Sequence, residues 1–244
     1  MKSALIFGGK SPLALATARE FAANGFELFL IARNSASLAE QESAFATQFN
    51  CKLSVVELDI SNRDSLLEFV SSFQDNCPDV VISVLGRQQP ANIKLDDIDT
   101  LSALIEGNFT GPAAVLEQFA TLMEKAGKGT LIGISSVAGE RGRQKNYSYG
   151  AAKAGFTVFL SGLRNRLAKS GVHVMTVKPG VIQTEATASL QHPSWLVRPP
   201  EVLGRDIYRA FVKRKNTLYT PWFWAWIMLI IKLIPEPIFK RLNL

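Results

Sequence analysis

Cysteine is nearly absent. Cys51 and Cys77 are the only two in 244 residues, so one disulfide is the most the chain can hold. That excludes a cysteine-stapled extracellular scaffold and favours reduced thiols in a cytoplasmic compartment. A chain of this size can bury its own core, so no metal site or staple is expected. Long apolar runs are missing too. The most apolar stretch, PWFWAWIMLII at 221–231, is eleven residues, whereas a spanning helix needs about 20. No secretory leader is read at the start, because the apolar run 4–7 stops at Gly8-Gly9. Acid is scarce at one end only. From Lys213 to Leu244, Glu236 stands alone against Lys213, Arg214, Lys215, Lys232, Lys240 and Arg241, while the remainder holds 21 basic and 20 acidic residues. A nucleic-acid binder spreads a basic groove over its body, so no nucleic-acid partner is expected. Disorder is excluded by 47% hydrophobic against 20% charged residues.

Short apolar runs alternate with helical patterns throughout. The runs 3–7, 27–33, 52–59, 79–86, 129–136 and 171–180 read as strands, and residues 218–221 as a seventh at an edge. Helices are expected over about 13–24, 35–49, 64–76, 99–125 and 147–169, with a short one from Pro199-Pro200. Strands apolar on both faces and separated by helices predict a parallel sheet covered on two sides. The fold class is therefore α/β: a Rossmann-type, doubly wound, mostly parallel sheet of about seven strands. No interdomain linker, repeat or low-complexity tract is visible. The reading is one domain over 1–220, with a substrate loop at about 181–200, and an apolar and basic tail at 221–244.

Gly8 and Gly9 fall where strand one turns into helix one, where a diphosphate needs close backbone approach. Arg33 ends the second strand. A positive residue there favours the 2′-phosphate of NADP over the ribose hydroxyls of NAD, and Lys10 is a second phosphate ligand candidate. Asp59 ends strand three, either to accept a bond from the adenine amine or to cap the helix that starts near Ser61. At the other end of the sequence pattern, Tyr149 and Lys153 share one helix face at a spacing of four. Charge proximity from Lys153 is expected to lower the Tyr149 phenol and let it exchange a proton near neutral pH. Ser136 ends strand five, where carboxyl ends of strands converge on a crevice. Tyr147 is the better candidate for packing.

The stretch ISSVAGERG–YSYGAAKAG closely resembles the catalytic segment of the short-chain dehydrogenase/reductase family, and the likeness extends to about residue 220. The resemblance implies NADPH-dependent hydride transfer to or from a carbonyl carbon. Tyr149 would be the general acid for reduction, Lys153 would bind the nicotinamide ribose, and Ser136 would polarise the carbonyl oxygen. Asn108 would support Lys153 through a backbone-bound water. For the cofactor it implies Gly8, Lys10, Ser11, Leu13, Arg33, Asp59, Ile60, Leu85, Gly86, Tyr149, Lys153, Pro179, Gly180, Ile182 and Thr184. The glycine turn departs from the family pattern Thr-Gly-x-x-x-Gly-x-Gly at Pro12 and Ala14, and Ser83-Val84 replaces the usual asparagine pair.

Trp222, Trp224 and Trp226, flanked by basic residues, suit a membrane headgroup layer. An oligomer interface is the alternative, since aromatic residues also enrich interface cores. The tail is similar to that of bacterial reductases that work with the decaprenylphosphoryl-ribose 2-epimerase system. That likeness implies a polyprenyl-phosphate-linked keto sugar as the carbonyl substrate. Reduction of a 3-keto lipid or a small hydrophobic ketone is a second reading, and a non-enzymatic nucleotide-binding scaffold a third. Arg87, Arg141, Arg143 and Lys145 are candidates to meet a substrate phosphate, or are solvated loop residues. The expected setting is the cytoplasmic face of a membrane bearing anionic lipid, with homo-oligomerisation.

Overall fold

A computed structural model describes residues 2–87, 97–183 and 193–242. Seven parallel strands form one sheet: β1 (Lys2–Phe7), β2 (Phe26–Ala32), β3 (Leu53–Glu57), β4 (Val80–Ser83), β5 (Thr130–Ile134), β6 (His173–Pro179) and, further along, β9 (Thr217–Thr220). Their order is β3-β2-β1-β4-β5-β6-β9, every neighbour parallel. The order reverses between β1 and β4, and that switch point opens a crevice at the carboxyl ends of the strands. β1 and β4 are buried on both faces, which is why they read as continuous apolar runs.

Helices cover the two faces. α1 (Pro12–Ala23) and α2 (Ala39–Phe49) lie with the later α7 (Pro200–Val212) on one core, which includes Phe21, Phe26, Phe45 and Leu203. α3 (Arg63–Ser71), α5 (Gly111–Ala126) and α6 (Tyr147–Leu167) cover the other, where Phe7, Leu116, Phe119, Phe156 and Leu160 are fully buried. The single helix expected over 99–125 is instead α4 (Ile98–Ile105), a π-helical turn at Glu106–Thr110, and α5. Pro112 has no N–H to offer the Asn108 carbonyl four residues back, and one wider turn absorbs the mismatch. The α7 helix runs thirteen residues, longer than the short helix expected from Pro199-Pro200.

A small parallel pair, β7 (Val181–Ile182) with β8 (Val197–Arg198), brackets the expected substrate loop. After β9 a cis Thr220–Pro221 bond leads into α8 (Trp224–Leu233) and the short α9 (Glu236–Phe239). The tail is not an appendage. α8 packs Trp224 and Met228 against Val137, with Val181, Leu196, Tyr219, Phe223, Ile227 and Ile231 around them. Among the described residues, no helix is long and apolar enough to cross a membrane.

Candidate active site

Lys153 occupies the second turn of α6 and is almost wholly buried. Its Nζ donates to the Ile134 carbonyl at 3.0 Å and the Leu85 carbonyl at 3.4 Å, so it spans the ends of β5 and β4. Burial pulls its pKa down to about 7. One turn earlier, Tyr149 hydrogen-bonds with Ser136, and the Lys153 ammonium lies 5.9 Å from its ring centre. Ser136 Oγ also accepts from the Ala138 N–H at 3.1 Å, which fixes the hydroxyl. Close packing draws the segments together. A Cβ on Gly139 would lie 2.7 Å from the Ala154 nitrogen, and one on Gly150 would lie 2.8 Å from the Ala138 oxygen.

One expectation is corrected here. The Tyr149 phenol is raised, not lowered. Burial pushes it up, and the bond to Ser136 is what opposes that. A phenol held above its ordinary value of about 10 stays protonated at neutral pH, which is the form that gives a proton to a carbonyl oxygen.

Asn108 sits fully buried in the π-helical turn. Its side-chain oxygen accepts from the Arg87 N–H at 3.0 Å, and its amide donates to the Arg87 carbonyl at 2.7 Å and the Leu104 carbonyl at 3.0 Å. The side chain therefore pins the backbone that follows β4. A Cβ on Gly86 would lie 3.1 Å from Asn108 Oδ1 and 3.2 Å from Lys153 Nζ, so the pinned backbone passes directly over both groups. Ser83, standing where an asparagine was expected by the resemblance, is buried with its hydroxyl unpaired.

The cofactor end is built on Gly8, whose φ of +85° suits glycine and whose Cβ would lie 3.1 Å from the Val84 carbonyl carbon. Gly8 and Gly9 both donate to the Ile31 carbonyl at 3.0 Å. Ser11 makes no side-chain cap on α1, and Leu15 is the first residue to close back, on the Ser11 carbonyl. Pro12 has no N–H, so the Leu13 and Ala14 N–H groups are the donors that this helix start offers an anion. Arg33 lies one residue beyond β2 and is largely exposed, 3.9 Å from Asp59. Lys10 reaches the same corner and donates to the Asn34 carbonyl at 3.2 Å. Asp59 turns on Ser61 through one oxygen, while Asn62, not Asp59, caps α3. Ile60 packs at the head of α5, its Cδ1 3.1 Å from where a Cβ on Gly111 would be. Pro179 ends β6, Gly180 and Ile182 follow it beside the tail, and Thr184 lies outside the described residues. The glycine cradle, the free helix start and the two cations match what a dinucleotide phosphate chain requires.

Several functional contacts were invisible to sequence reasoning. Glu57 accepts from the Asn34 and Ser35 N–H groups, both at 2.6 Å, and so shapes the turn that carries Arg33. Ser135 donates to the Lys153 carbonyl at 2.9 Å, under the turn that carries Tyr149 and Lys153. Trp224 packs against Gly180, where a Cβ would collide with its Nε1. Glu140, four residues after Ser136, bonds Lys178, Lys232 and the Tyr219 hydroxyl. Arg141 donates to the Ile231 and Ile234 carbonyls at 2.6 and 2.7 Å, pairs with Glu236 and stacks on Phe239. These contacts correct three expectations. Trp224 is only 5% exposed and unavailable to lipid, Lys232 is committed to Glu140, and Arg141 is committed to the tail rather than to a substrate. Ile227 and Ile231 also turn inward, leaving Leu229 and Ile230 outside.

A family model described as short chain dehydrogenase matches residues 2–195. An uncharacterized oxidoreductase of Mycobacterium tuberculosis is 30% identical over 243 residues, which cover 98% of this chain and 96% of the relative. A short-chain dehydrogenase from Sphingobium yanoikuyae, solved in complex with NADPH, superposes with a TM-score of 0.83 at 21% identity, over 99% of this chain and 96% of that one. The bulky-bulky ketone specific alcohol dehydrogenase from Comamonas testosteroni gives 0.82 at 21% identity, over 99% and 95%. At such identities the two solved structures speak for the fold.

Proposed function

The chain belongs to the short-chain dehydrogenase/reductase family, and from that premise we propose an NADPH-dependent carbonyl reductase that works at an anionic membrane surface on a lipid-linked keto sugar. The observation that carries the chemistry is the Ser136–Tyr149–Lys153 set, gathered at the carboxyl ends of β4 and β5. The crevice at the carboxyl ends of β1 and β4 would hold NADPH, whose contribution would be a hydride for the carbonyl carbon. Tyr149 gives its proton to the carbonyl oxygen, Ser136 orients that oxygen, and Lys153 holds ribose hydroxyls and restores the phenol proton. Asn108 keeps the Gly86–Arg87 backbone, and with it the Lys153 ammonium, in place. Gly8, Ser11, Leu13 and Ala14 take the diphosphate. Arg33 and Lys10 favour the 2′-phosphate of the cofactor seen in the Sphingobium relative.

Arg33→Asp is expected to reverse this preference. Losing one charge-assisted contact and adding repulsion should weaken NADP binding about 10–100-fold. Titration of both oxidised cofactors checks it, and equal binding of NAD by the parent would remove the NADP reading.

The membrane reading rests on the outer face of the tail. Trp222 is 72% exposed and Trp226 62%, with Ile230 and Leu233 beside them. Lys213 to Lys215, Lys240 and Arg241 supply positive charge for anionic headgroups. Deleting 221–244 would strip Trp224 from Gly180, so surface variants are the cleaner test. The full-length chain should float with phosphatidylglycerol vesicles. A Trp222→Ser, Trp226→Ser, Ile230→Ser variant should not, yet should keep its activity on a soluble ketone. NADPH oxidation against a lipid-linked keto sugar, a 3-keto lipid and a short ketone then separates the substrate classes. A parent that stays unbound and dimerises through this face would sink the membrane reading and leave the reductase standing.

A further inference from the structure

Where the tail closes over the loop between Ser136 and Tyr149, it leaves a cleft of about 230 Å3. Arg143 and Gln144 line it from the loop, and Phe239, Lys240 and Leu242 from the tail. Among the described residues that line it, two are cations and none is an acid. Among the described residues, neither Arg143 nor Lys240 forms an ion pair. The Arg143 Nε is shut off from solvent and has no hydrogen-bond partner. The neighbouring acids are already committed, Glu140 to Lys178 and Lys232, and Glu236 to Arg141. A third cation backs the wall, because the Arg141 guanidinium lies 3.6 Å from the centre of the Phe239 ring. Burial pulls the Arg143 guanidinium below its ordinary value. A partly desolvated cation with no counter-charge is costly, and is normally paired with an anion.

We propose that this cleft is an anion subsite that takes a phosphate ester, with Arg143 and Lys240 on its oxygens and a short apolar chain against Phe239 and Leu242. A phosphate monoester carries a charge of about −1.5 to −2 and three acceptor oxygens, which two cations match better than a single carboxylate charge would. Guanidinium offers the forked donors that phosphate geometry uses. The cleft is smaller than the roughly 300–1,000 Å3 of pockets that engulf a whole drug-sized ligand. It therefore holds a group, not a molecule. The subsite does not depend on the carbonyl chemistry proposed above, and its ligand is either a soluble phosphate or a lipid headgroup.

Isothermal titration and thermal melting of the full-length protein test it with three probes: inorganic phosphate, hexyl phosphate and phosphatidic acid vesicles. Hexyl phosphate should bind and raise the melting temperature. Arg143→Gln should weaken that binding about 10–100-fold and Lys240→Gln less, as loss of charge-assisted bonds predicts. Without any anion, Arg143→Gln should melt no lower than the parent, because it removes an unpaired charge. That separates lost binding from lost folding. Inorganic phosphate binding as well as hexyl phosphate would identify a soluble ligand. Vesicle binding alone, lost in Arg143→Gln, would identify a headgroup. Failure of all three probes, or equal binding by Arg143→Gln, overturns the proposal without touching the reductase assignment.

Discussion

Tyr149→Phe is expected to fold, to bind NADPH as the parent does, and to lose about 10²–10⁴-fold in turnover. The phenyl ring fills the same space and only the hydroxyl leaves. Ser136 keeps its bond from the Ala138 N–H, so the turn after β5 stays in place. The stability cost is that of one hydrogen bond, about 0.5–1.5 kcal/mol. The rate cost is that of losing a general acid. Single-turnover kinetics on the true substrate, with a cofactor titration and circular dichroism alongside, check all three parts. Near-native turnover would end the assignment of Tyr149. A poor surrogate ketone is the wrong substrate for this test, because a different step can limit its rate.

The second large effect concerns the latch between the segment after Ser136 and the tail. The Glu140 carboxylate is 7% exposed and binds Lys178, Lys232 and the Tyr219 hydroxyl, the last at 2.9 Å. Although burial pushes the carboxyl up, the bonds from Lys178 and Lys232 outweigh it and hold the pKa at about 2. Glu140→Ala would strand Lys178 in a nearly buried position, and breaking such a pair typically costs about 3–5 kcal/mol. The sign of the pH dependence follows from the lowered folded value. The stabilisation is fully present above the unfolded value near 4.5, and it is lost as pH falls from there through about 2. The full effect is about 3 kcal/mol. Urea midpoints at pH 7, 4 and 3 should fall steeply for the parent. In Glu140→Gln, which keeps the shape but not the charge, the midpoint should already be low at pH 7 and the acid limb flatter. Parallel acid limbs would show that Glu140 carries no such role. Because Glu140 lies in the turn after Ser136, the Ala variant should also loosen Val137 from Trp224 and weaken turnover.

Much of this architecture was legible because it is local. Strands buried on both faces, such as Ala4–Phe7 and Val80–Ile82, carry unbroken apolar runs, and helices between them leave no route but parallel crossovers. Tyr149 and Lys153 were legible because four residues make one helical turn. The direction of the Tyr149 shift was not, since spacing says nothing about how deeply a phenol is buried. Asn108 was visible only through resemblance. Its bonds to Arg87 lie 21 residues away, across a π-helical turn that composition hints at only through Gly111-Pro112.

The tail divides the two kinds of knowledge most sharply. By itself the sequence determined that 221–231 is too short to span a bilayer, that basic residues surround it, and that its tryptophans are amphipathic. Only the tertiary structure decided which tryptophan is which. Trp224 goes inward on Gly180, while Trp222 and Trp226 face out. An eleven-residue run that is apolar all round has no periodicity from which to read an inner face. The face was selected by Glu140 and Arg141, whose bonds to the tail span 90 to 95 residues. Local sequence sets what a segment can become, but such distant pairings exist only after the chain has closed on itself.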